Sequence, residues 1–377
     1  MFLGSLQKTE SRCRVFDQSH YVPILKGRDG EYGALKELQI SARSKLTPLI
    51  EIPPVPWDFK KKAPQKSLDS HVHNVADKLF KSWGTRFPIF LDTLWLGGAA
   101  KMVDGSHVLA HILQICRLLR LKVVPVTGFM RESEHLSICM DAHREDKLGI
   151  CVRLLRADLD SSSAAIASDL RELLSQIDVM PCEVDLLIDF RDISSDKTVD
   201  TFGAMELIKK IPSLSEWRSF TVCGSSFPST LANIPPDACS HIKRLEWELW
   251  KDLRLKLPEG SRVPTFSDYA IAHPEHSEVD PSVMKASAAI RYTTPDSWMV
   301  VKGRGLGKYK YDQFHDLSKK LTRRAEYRGG NFSWGDEYIE GCGYRIFGTG
   351  NLTKWRQVGT SHHIALVLEQ IGGFSAS

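Results

Sequence analysis

Four carboxylates stand at or near the ends of apolar runs, where their side chains could share one site. The four are Glu51, Asp92, Asp189 and Asp268. Grouped carboxylate oxygens bind hard divalent cations, and close carboxyl groups also shift each other's pKa so that one becomes a general acid. We therefore predict that Glu51, Asp92 and Asp189 bind Mg²⁺ or another divalent cation. The predicted catalytic set is Lys26, Glu51, Asp92, Asp189 and Asp268.

A structural alternative exists for the same carboxylates. Each could pair with a neighbouring base, and the candidates are Lys26, Arg153 and Arg191. Ion-pair networks of this kind perturb carboxyl groups without any catalysis. Carboxylates within metal-bridging distance of one another would favour an enzyme, whereas carboxylates each tied to an arginine or lysine would favour a binding protein.

Cationic and small polar residues suggest a phosphate-bearing substrate. Lys26-Gly27-Arg28 follows the run "VPIL", and the same tripeptide recurs as Lys302-Gly303-Arg304 after "WMVV". The turn "GSS" after "TVC" offers backbone N–H groups and hydroxyls that could cradle an anion. The predicted substrate-binding residues are Arg28, Arg153, Gly224, Ser225, Ser226, Lys302 and Arg304.

The segment "KGRGLGKYKY" alternates basic and aromatic residues, a composition that can bind nucleic acid. Lysines such as Lys308 and Lys310 would contact backbone phosphates while Tyr309 and Tyr311 stack on bases. A solvated strand surface is the alternative interpretation. The 50 basic and 46 acidic residues nearly cancel, so attraction to nucleic acid would have to come from a local patch.

Eight short runs rich in Val, Ile, Leu and Phe alternate with segments of helical periodicity, which is typical of βα units. The runs are "YVPIL", "LTPLIEI", "FPIFLDTL", "LKVVPVTG", "GICVRLL", "VDLLIDF", "SFTVCGSS" and "PTFSDYAIA". This count predicts an α/β fold, a (β/α)₈ TIM-like barrel whose strand ends gather the polar residues at one mouth. An open doubly wound sheet is the alternative.

The barrel is predicted to occupy residues 1–285, including a short N-terminal extension. Residues 286–377 differ in composition from the barrel segment, being rich in Gly, Tyr, Trp and Arg. We predict that they form an appended C-terminal α+β module, with a strand pair around "TTPDS" and a closing helix. The eight cysteines are scattered without a CxxC pair, and no apolar run reaches the ~20 residues of a membrane span. We expect a soluble cytoplasmic protein with reduced thiols and no membrane partner.

The chain resembles the Beta protein family of phage and bacterial genomes. The resemblance is carried by "YVPILKGRDGEYGAL", "TPLIEIPP", "IFLDT", "LLIDF", "FSWGDEYI" and "WRQVGTSHHI". It implies a role in phage–host conflict and names no reaction. Two hypotheses follow: metal-assisted hydrolysis of a phosphoester in a nucleotide or nucleic acid, or a non-catalytic component of a phage-defence or phage-encoded system that binds nucleic acid or a protein partner.

Overall fold

The structure is a computed structural model that describes residues 16–98, 100–194, 200–258, 261–276 and 286–375. Within these ranges the strands are β1 (Tyr21–Leu25), β2 (Leu49–Glu51), β3 (Trp57–Asp58), β4 (Ala63–Pro64), β5 (Pro88–Asp92), β6 (Lys122–Thr127), β7 (Ile150–Leu155), β8 (Val184–Asp192), β9 (Ser219–Ser225), β10 (Cys239–Lys243), β11 (Thr265–Asp268), β12 (Ser287–Thr293) and β13 (Ser297–Gly305). The helices are α1 (Asp29–Glu37), α2 (Ile40–Arg43), α3 (Leu68–Ser82), α4 (Val108–Leu118), α5 (Ser133–Asp146), α6 (Ser163–Gln176), α7 (Thr201–Ile208), α8 (Leu245–Lys256), α9 (Leu306–Tyr309), α10 (Gln313–Leu321), α11 (Trp334–Gly343) and α12 (Leu352–Ser375).

Eight strands form a closed parallel barrel. They follow one another around the barrel in chain order as β1, β2, β5, β6, β7, β8, β9 and β11. Parallel pairing of β1 with β11, with Tyr21 opposite Phe266, closes the ring. The prediction of a (β/α)₈ barrel is confirmed, and each of the eight apolar runs contains one barrel strand. The open-sheet alternative is wrong.

The barrel strands are apolar because both of their faces are buried. Along β1, Ile24 packs in the cluster inside the barrel with Phe90 and Leu187, while its neighbour Leu25 packs in the layer under the helices. Successive side chains of a strand point to opposite faces, so a strand covered on both sides reads as a continuous apolar run.

A smaller antiparallel sheet, in the order β10-β13-β12, forms the core of the C-terminal module. The strand pair around "TTPDS" is confirmed as β12 and β13. Its third strand, β10, lies in the chain between barrel strands β9 and β11 and pairs with β13 from Cys239–Val301 to Lys243–Ser297. The sheet therefore draws on residues from both sides of the predicted boundary at residue 285.

Helix α12 attaches the module to the barrel. Its residues Ile364, Val367 and Ile371 belong to the main barrel core. The side chain of His363 lies within 2.8 Å of Asp268 Oδ2 on β11 and within 2.9 Å of Thr293 Oγ1 on β12. Through His363 the C-terminal helix thus makes buried polar contacts with both sheets. None of the described helices, α12 included, is long and apolar enough to cross a membrane.

Candidate functional site

Arg153 lies at the centre of the barrel mouth and gathers three carboxylates. Its Nη2 donates to Glu51 Oε1 at 2.9 Å and to Asp189 Oδ2 at 2.6 Å, and its Nη1 donates to Asp92 Oδ2 at 2.8 Å. All four side chains are buried. The prediction that Glu51, Asp92 and Asp189 meet at one mouth is correct, but they meet around a guanidinium.

Further donors contact the carboxylates of Asp92 and Asp189. Arg131 donates to Asp92 Oδ1 at 2.6 Å. Tyr269 donates its hydroxyl proton to Asp189 Oδ2 at 2.5 Å and accepts from Arg153 at 2.6 Å. The other oxygen of Asp189 accepts from the backbone N–H of Arg191 at 2.8 Å. The mouth is therefore a nearly saturated ion-pair network.

The charges of this network follow from its contacts. Burial raises the pKa of Glu51 above its ordinary value, and the charges of Arg153 and Lys26 only partly oppose this. Burial alone would raise the pKa of Asp92, but Arg131 and Arg153 together bring it below its ordinary value. Burial would also lower the pKa of Arg153, but Tyr269 and the surrounding carboxylates raise it well above the ordinary value. Arg153 and Asp92 are thus held charged.

The network differs from the expected metal centre. Among the residues that the structure describes, no group of three or more His, Cys, Asp and Glu side chains is placed to hold a metal ion. The physical reason is that β7 brings Arg153 into the layer where the carboxylates converge. Arg153 was predicted to bind substrate, whereas here it pairs with Glu51, Asp92 and Asp189. A divalent cation at these residues stays a prediction that this geometry does not support.

Lys26 lies beside the network but faces the segment that follows β11. Its Nζ donates to the backbone oxygens of Pro274 at 2.5 Å and Glu275 at 2.8 Å, and it lies 5.6 Å from the ring centre of Trp95. Burial lowers the pKa of Lys26 to about 8. Arg191 donates to the same segment, at 3.1 Å from Glu275 Oε1. These contacts hold residues 274–275 across the mouth.

Asp268 does not join the other predicted catalytic residues. It accepts from the hydroxyl of Tyr21 at 2.5 Å and contacts His363 at 2.8 Å, both outside the barrel. Its neighbour Tyr269 points inward to Arg153 instead. Because consecutive side chains alternate between faces, placing Tyr269 inside directs Asp268 toward α12. Asp268 therefore contributes to the junction with the module.

The Gly-Ser-Ser turn after β9 already holds a carboxylate of the protein itself. The backbone N–H and the hydroxyl of Ser226 donate to Glu246 Oε2 at 3.1 and 2.8 Å. Ser225 donates to the backbone oxygen of Ala272 at 3.2 Å, and a side chain at Gly224 would come within 3.2 Å of Ile193. Glu246 therefore uses the donors of Ser226, and the binding of a substrate anion by this turn stays a prediction.

The two Lys-Gly-Arg tripeptides have different surroundings. Lys302 is buried and donates to the backbone oxygens of Leu231 at 2.6 Å and Ile234 at 2.5 Å. Arg304 is exposed and pairs with Asp237 at 2.6 Å. Arg28 is half-buried and immediately precedes α1. The segment "KGRGLGKYKY" therefore begins with a buried lysine and does not present one continuous basic surface.

Sequence reasoning missed several residues of the mouth and its rim. Tyr269 lies within the eighth apolar run and Arg131 follows the fourth, so their positions were a usable signal. Arg291 and Arg356 carry no such signal because they come from the module, and only the tertiary structure brings them to the barrel rim. Glu246 lies 20 residues beyond the turn that it fills.

A family model described as Beta protein matches residues 21–369. The chain belongs to the Beta protein family. Protein beta of Enterobacteria phage P4 is 21% identical over 364 residues, which cover 94% of each chain. The resemblance seen in the sequence motifs is thereby confirmed, and it includes a phage-encoded relative.

The comparison with solved structures finds similarity to two other proteins. HMG-CoA lyase from Brucella melitensis is 14% identical with a TM-score of 0.33, covering 66% of this chain and 80% of that one. A putative fructose-1,6-biphosphate aldolase from Coccidioides immitis is 8% identical with a TM-score of 0.28, covering 94% and 90%. The description of the fold rests on the observed strand order, and no reaction is inferred from these two enzymes.

Proposed function

We propose that this Beta family protein is a non-catalytic binding protein for a phosphate-bearing ligand, a nucleotide or nucleic acid, acting in phage–host conflict. The observation that carries the proposal is the pairing of Arg153 with Glu51, Asp92 and Asp189. This is the arrangement expected of a binding protein and not of a metal-dependent hydrolase. The phage-encoded relative supports the biological setting.

Coordination chemistry disfavours metal-dependent hydrolysis at this mouth. A catalytic cation needs several free oxygen ligands and an open position for water. Here Asp92 accepts from two arginines and Asp189 accepts from Arg153 and Tyr269. A cation would have to displace the guanidinium of Arg153, which leaves that buried charge without partners. Breaking a buried ion pair costs about 3–5 kcal/mol.

The experiment compares binding with cleavage. The purified protein is incubated with labelled nucleotides and short oligonucleotides in Mg²⁺, in Mn²⁺ and in EDTA. We expect saturable binding that persists in EDTA, with no phosphate release or strand cleavage in any condition. Cleavage that requires a divalent cation and disappears in Asp92→Asn would restore the hydrolase hypothesis and refute this proposal.

A matched pair of variants tests the structural role of the carboxylates. Asp189→Asn should lower stability while leaving the ligand affinity of the folded fraction unchanged, because Asp189 serves Arg153. Asp237→Asn, which removes an exposed carboxylate paired with Arg304, is the control and should change stability by less than about 1 kcal/mol. A loss of affinity in folded Asp189→Asn would show that the mouth itself binds the ligand.

A further inference from the structure

A cleft of about 340 Å³ lies where the module meets the barrel rim. Residues of the loop after β9, of strands β12 and β13, and of the first turns of α12 line it. Those used below are Ser229, Thr230, Ser287, Arg291, Lys302 and Arg356. We call this space the junction cleft. Its volume falls in the range of small-molecule sites, which is roughly 300–1,000 Å³.

The lining of the junction cleft is positively charged. It includes Arg291, Lys302 and Arg356 but no acidic residue among the described side chains that line it. The carboxylate paired with Arg356 is Glu31, at 4.0 Å, which is longer than a hydrogen bond. Glu31 also caps α1 by accepting from the backbone N–H of Arg28 at 3.0 Å. The single negative charge of Glu31 is thus outnumbered by the positive charges of the neighbouring cationic side chains.

Arg291 is the most conspicuous of these cations. It donates to the backbone oxygen of Ile271 at 2.9 Å and stacks 4.9 Å from the ring centre of Phe227. Among the described residues it has no carboxylate within 4 Å. Burial, followed by the charges of Arg356 and Arg28, lowers the pKa of Arg291 to about 9. Like charges held close together in a half-buried site repel one another, and a bound anion would offset that repulsion.

The packing of two helices holds the arginines together. A Cβ on Gly30 of α1 would lie 2.5 Å from the backbone oxygen of Thr353 and 2.8 Å from Cβ of Arg356 on α12. The two helices therefore touch at this glycine, which brings Arg28, just before α1, close to Arg356. A larger residue at position 30 would separate them.

Lys302 on β13, which lies beside Ala289 of the neighbouring strand β12, acts as a positioning residue. Its Nζ is engaged by the backbone oxygens of Leu231 and Ile234, so it fixes the loop that carries Ser229 and Thr230. The hydroxyls of this loop face the same space as Arg291 and Arg356. Cationic side chains and hydroxyl groups that line one cleft are suited to the oxygens of a phosphate group.

We propose that the junction cleft binds the terminal phosphate of a small phosphorylated molecule such as a nucleoside monophosphate. Arg291 and Arg356 contact the phosphate oxygens, Arg28 adds positive charge, and Ser229 and Ser287 supply hydroxyls. The proposal rests on the proposed function for its ligand class and adds the site. A nucleic acid with a terminal phosphate offers the same chemical group, so the experiment separates the two sources.

The test measures binding by isothermal titration calorimetry. The probes are inorganic phosphate, AMP, GMP, and a ten-nucleotide DNA strand with and without a 5′-phosphate. We expect saturable binding of a nucleoside monophosphate. Arg291→Gln and Arg356→Gln should each weaken it about tenfold or more, as expected for the loss of a charged hydrogen bond. Arg171→Gln removes an exposed arginine of α6, outside the cleft, and should bind as the wild type does.

Because Arg291 is half-buried and packs against Phe227, a variant on the exposed loop guards against misfolding. Ser229→Glu adds a carboxylate to the wall of the cleft, which should abolish binding while the thermal midpoint stays unchanged. If the wild type binds none of the probes, the proposed function fails and the cleft proposal with it. If the wild type binds and all three cleft variants match it, the cleft alone is refuted.

The two DNA strands decide between sources of the phosphate. Stronger binding of the 5′-phosphorylated strand than of the unphosphorylated one supports recognition of a terminal phosphate, whatever its carrier. If both strands bind equally and the nucleoside monophosphates do not bind, the protein recognises internal phosphodiesters and not a terminal phosphate. That result would overturn the proposal.

Discussion

At the scale of single residues, the mouth of the barrel is governed by Arg153. A guanidinium offers five donors in a fixed plane, which lets one buried side chain serve several carboxylates at once. Arg153 donates from Nε to Asp189, from Nη1 to Asp92 and from Nη2 to Glu51. The carboxylates are buried because this arginine is present, so the two kinds of charge depend on each other.

Replacing Arg153 should therefore unfold the protein more readily than replacing any exposed arginine. Arg153→Met keeps much of the side-chain volume but leaves three buried carboxylates without their shared partner. We expect the free energy of unfolding to fall by about 4 kcal/mol or more, since breaking a buried pair costs about 3–5 kcal/mol. Urea denaturation followed by circular dichroism measures the change.

The matched control is Arg304→Met. Arg304 is exposed and pairs with Asp237, so its loss should change the free energy of unfolding by less than about 1 kcal/mol. Similar changes in Arg153→Met and Arg304→Met would mean that the network contributes little to the fold.

The sequence predicts which polar residues come together in the mouth but not how they pair. Polar residues at strand ends indicated a shared mouth for Lys26, Glu51, Asp92 and Asp189, and the structure brings them there. The choice of Tyr269 over Asp268 as the inward residue depends on where β11 starts its alternation, and a shift of one residue reverses it. Partner choice therefore requires the register of the strands.

At the scale of elements, the turn between β9 and β10 is anchored by the first turn of α8. Glu246 on α8 accepts two hydrogen bonds from Ser226, which joins the barrel rim to the helix. Burial raises the pKa of Glu246 to about 7 from the ordinary 4.5, and the nearby Arg244 only partly opposes this. The helix is thus attached by a carboxyl group that titrates near neutral pH.

Stability should fall with rising pH because of Glu246. Its pKa is raised in the folded state, so its stabilising contribution is complete below pH 4.5 and is lost as the pH rises through about 7. Wild type should therefore lose about 2 kcal/mol relative to Glu246→Gln between pH 5 and pH 8, since one pKa unit is about 1.4 kcal/mol.

Thermal denaturation of both proteins across this range isolates the effect, because other groups titrate equally in each. The variant keeps an oxygen that accepts from Ser226, so its fold should be preserved. A constant difference between wild type and Glu246→Gln at all pH values would contradict the raised pKa.

How well each strand could be predicted from the sequence depends on how deeply it is buried. The eight barrel strands were recognisable because two buried faces leave long apolar runs. Strand β10, "CSHIK", was not recognised, since its residues alternate between exposed and half-buried positions on the module sheet. Its pairing with β13 spans about sixty residues, and no local pattern reveals such a partner.

At the scale of the whole molecule, the module and the barrel share structure across residue 285. Strand β10 comes from the barrel segment, and α12 places Ile364, Val367 and Ile371 in the barrel core. The buried contacts of His363 reach both sheets. These connections indicate one cooperative unit, although the two parts have separate sheets.

We expect barrel and module to unfold together. In urea, hydrogen-exchange mass spectrometry should show peptides from β8 and β13 losing protection at the same denaturant concentration, because a two-state chain has one transition for all probes.

His363→Ala makes the test sharper. This substitution removes one of the two side-chain hydrogen-bond partners of the buried Asp268 carboxylate and leaves only Tyr21. The free energy of unfolding should therefore fall by about 3 kcal/mol. In a cooperative molecule this variant lowers the urea concentration at which both peptides lose protection, and by the same amount. The control is His73→Ala, at an exposed position of α3, which should change neither concentration. Loss of protection in β13 before β8 would instead identify residues 286–377 as a separable domain.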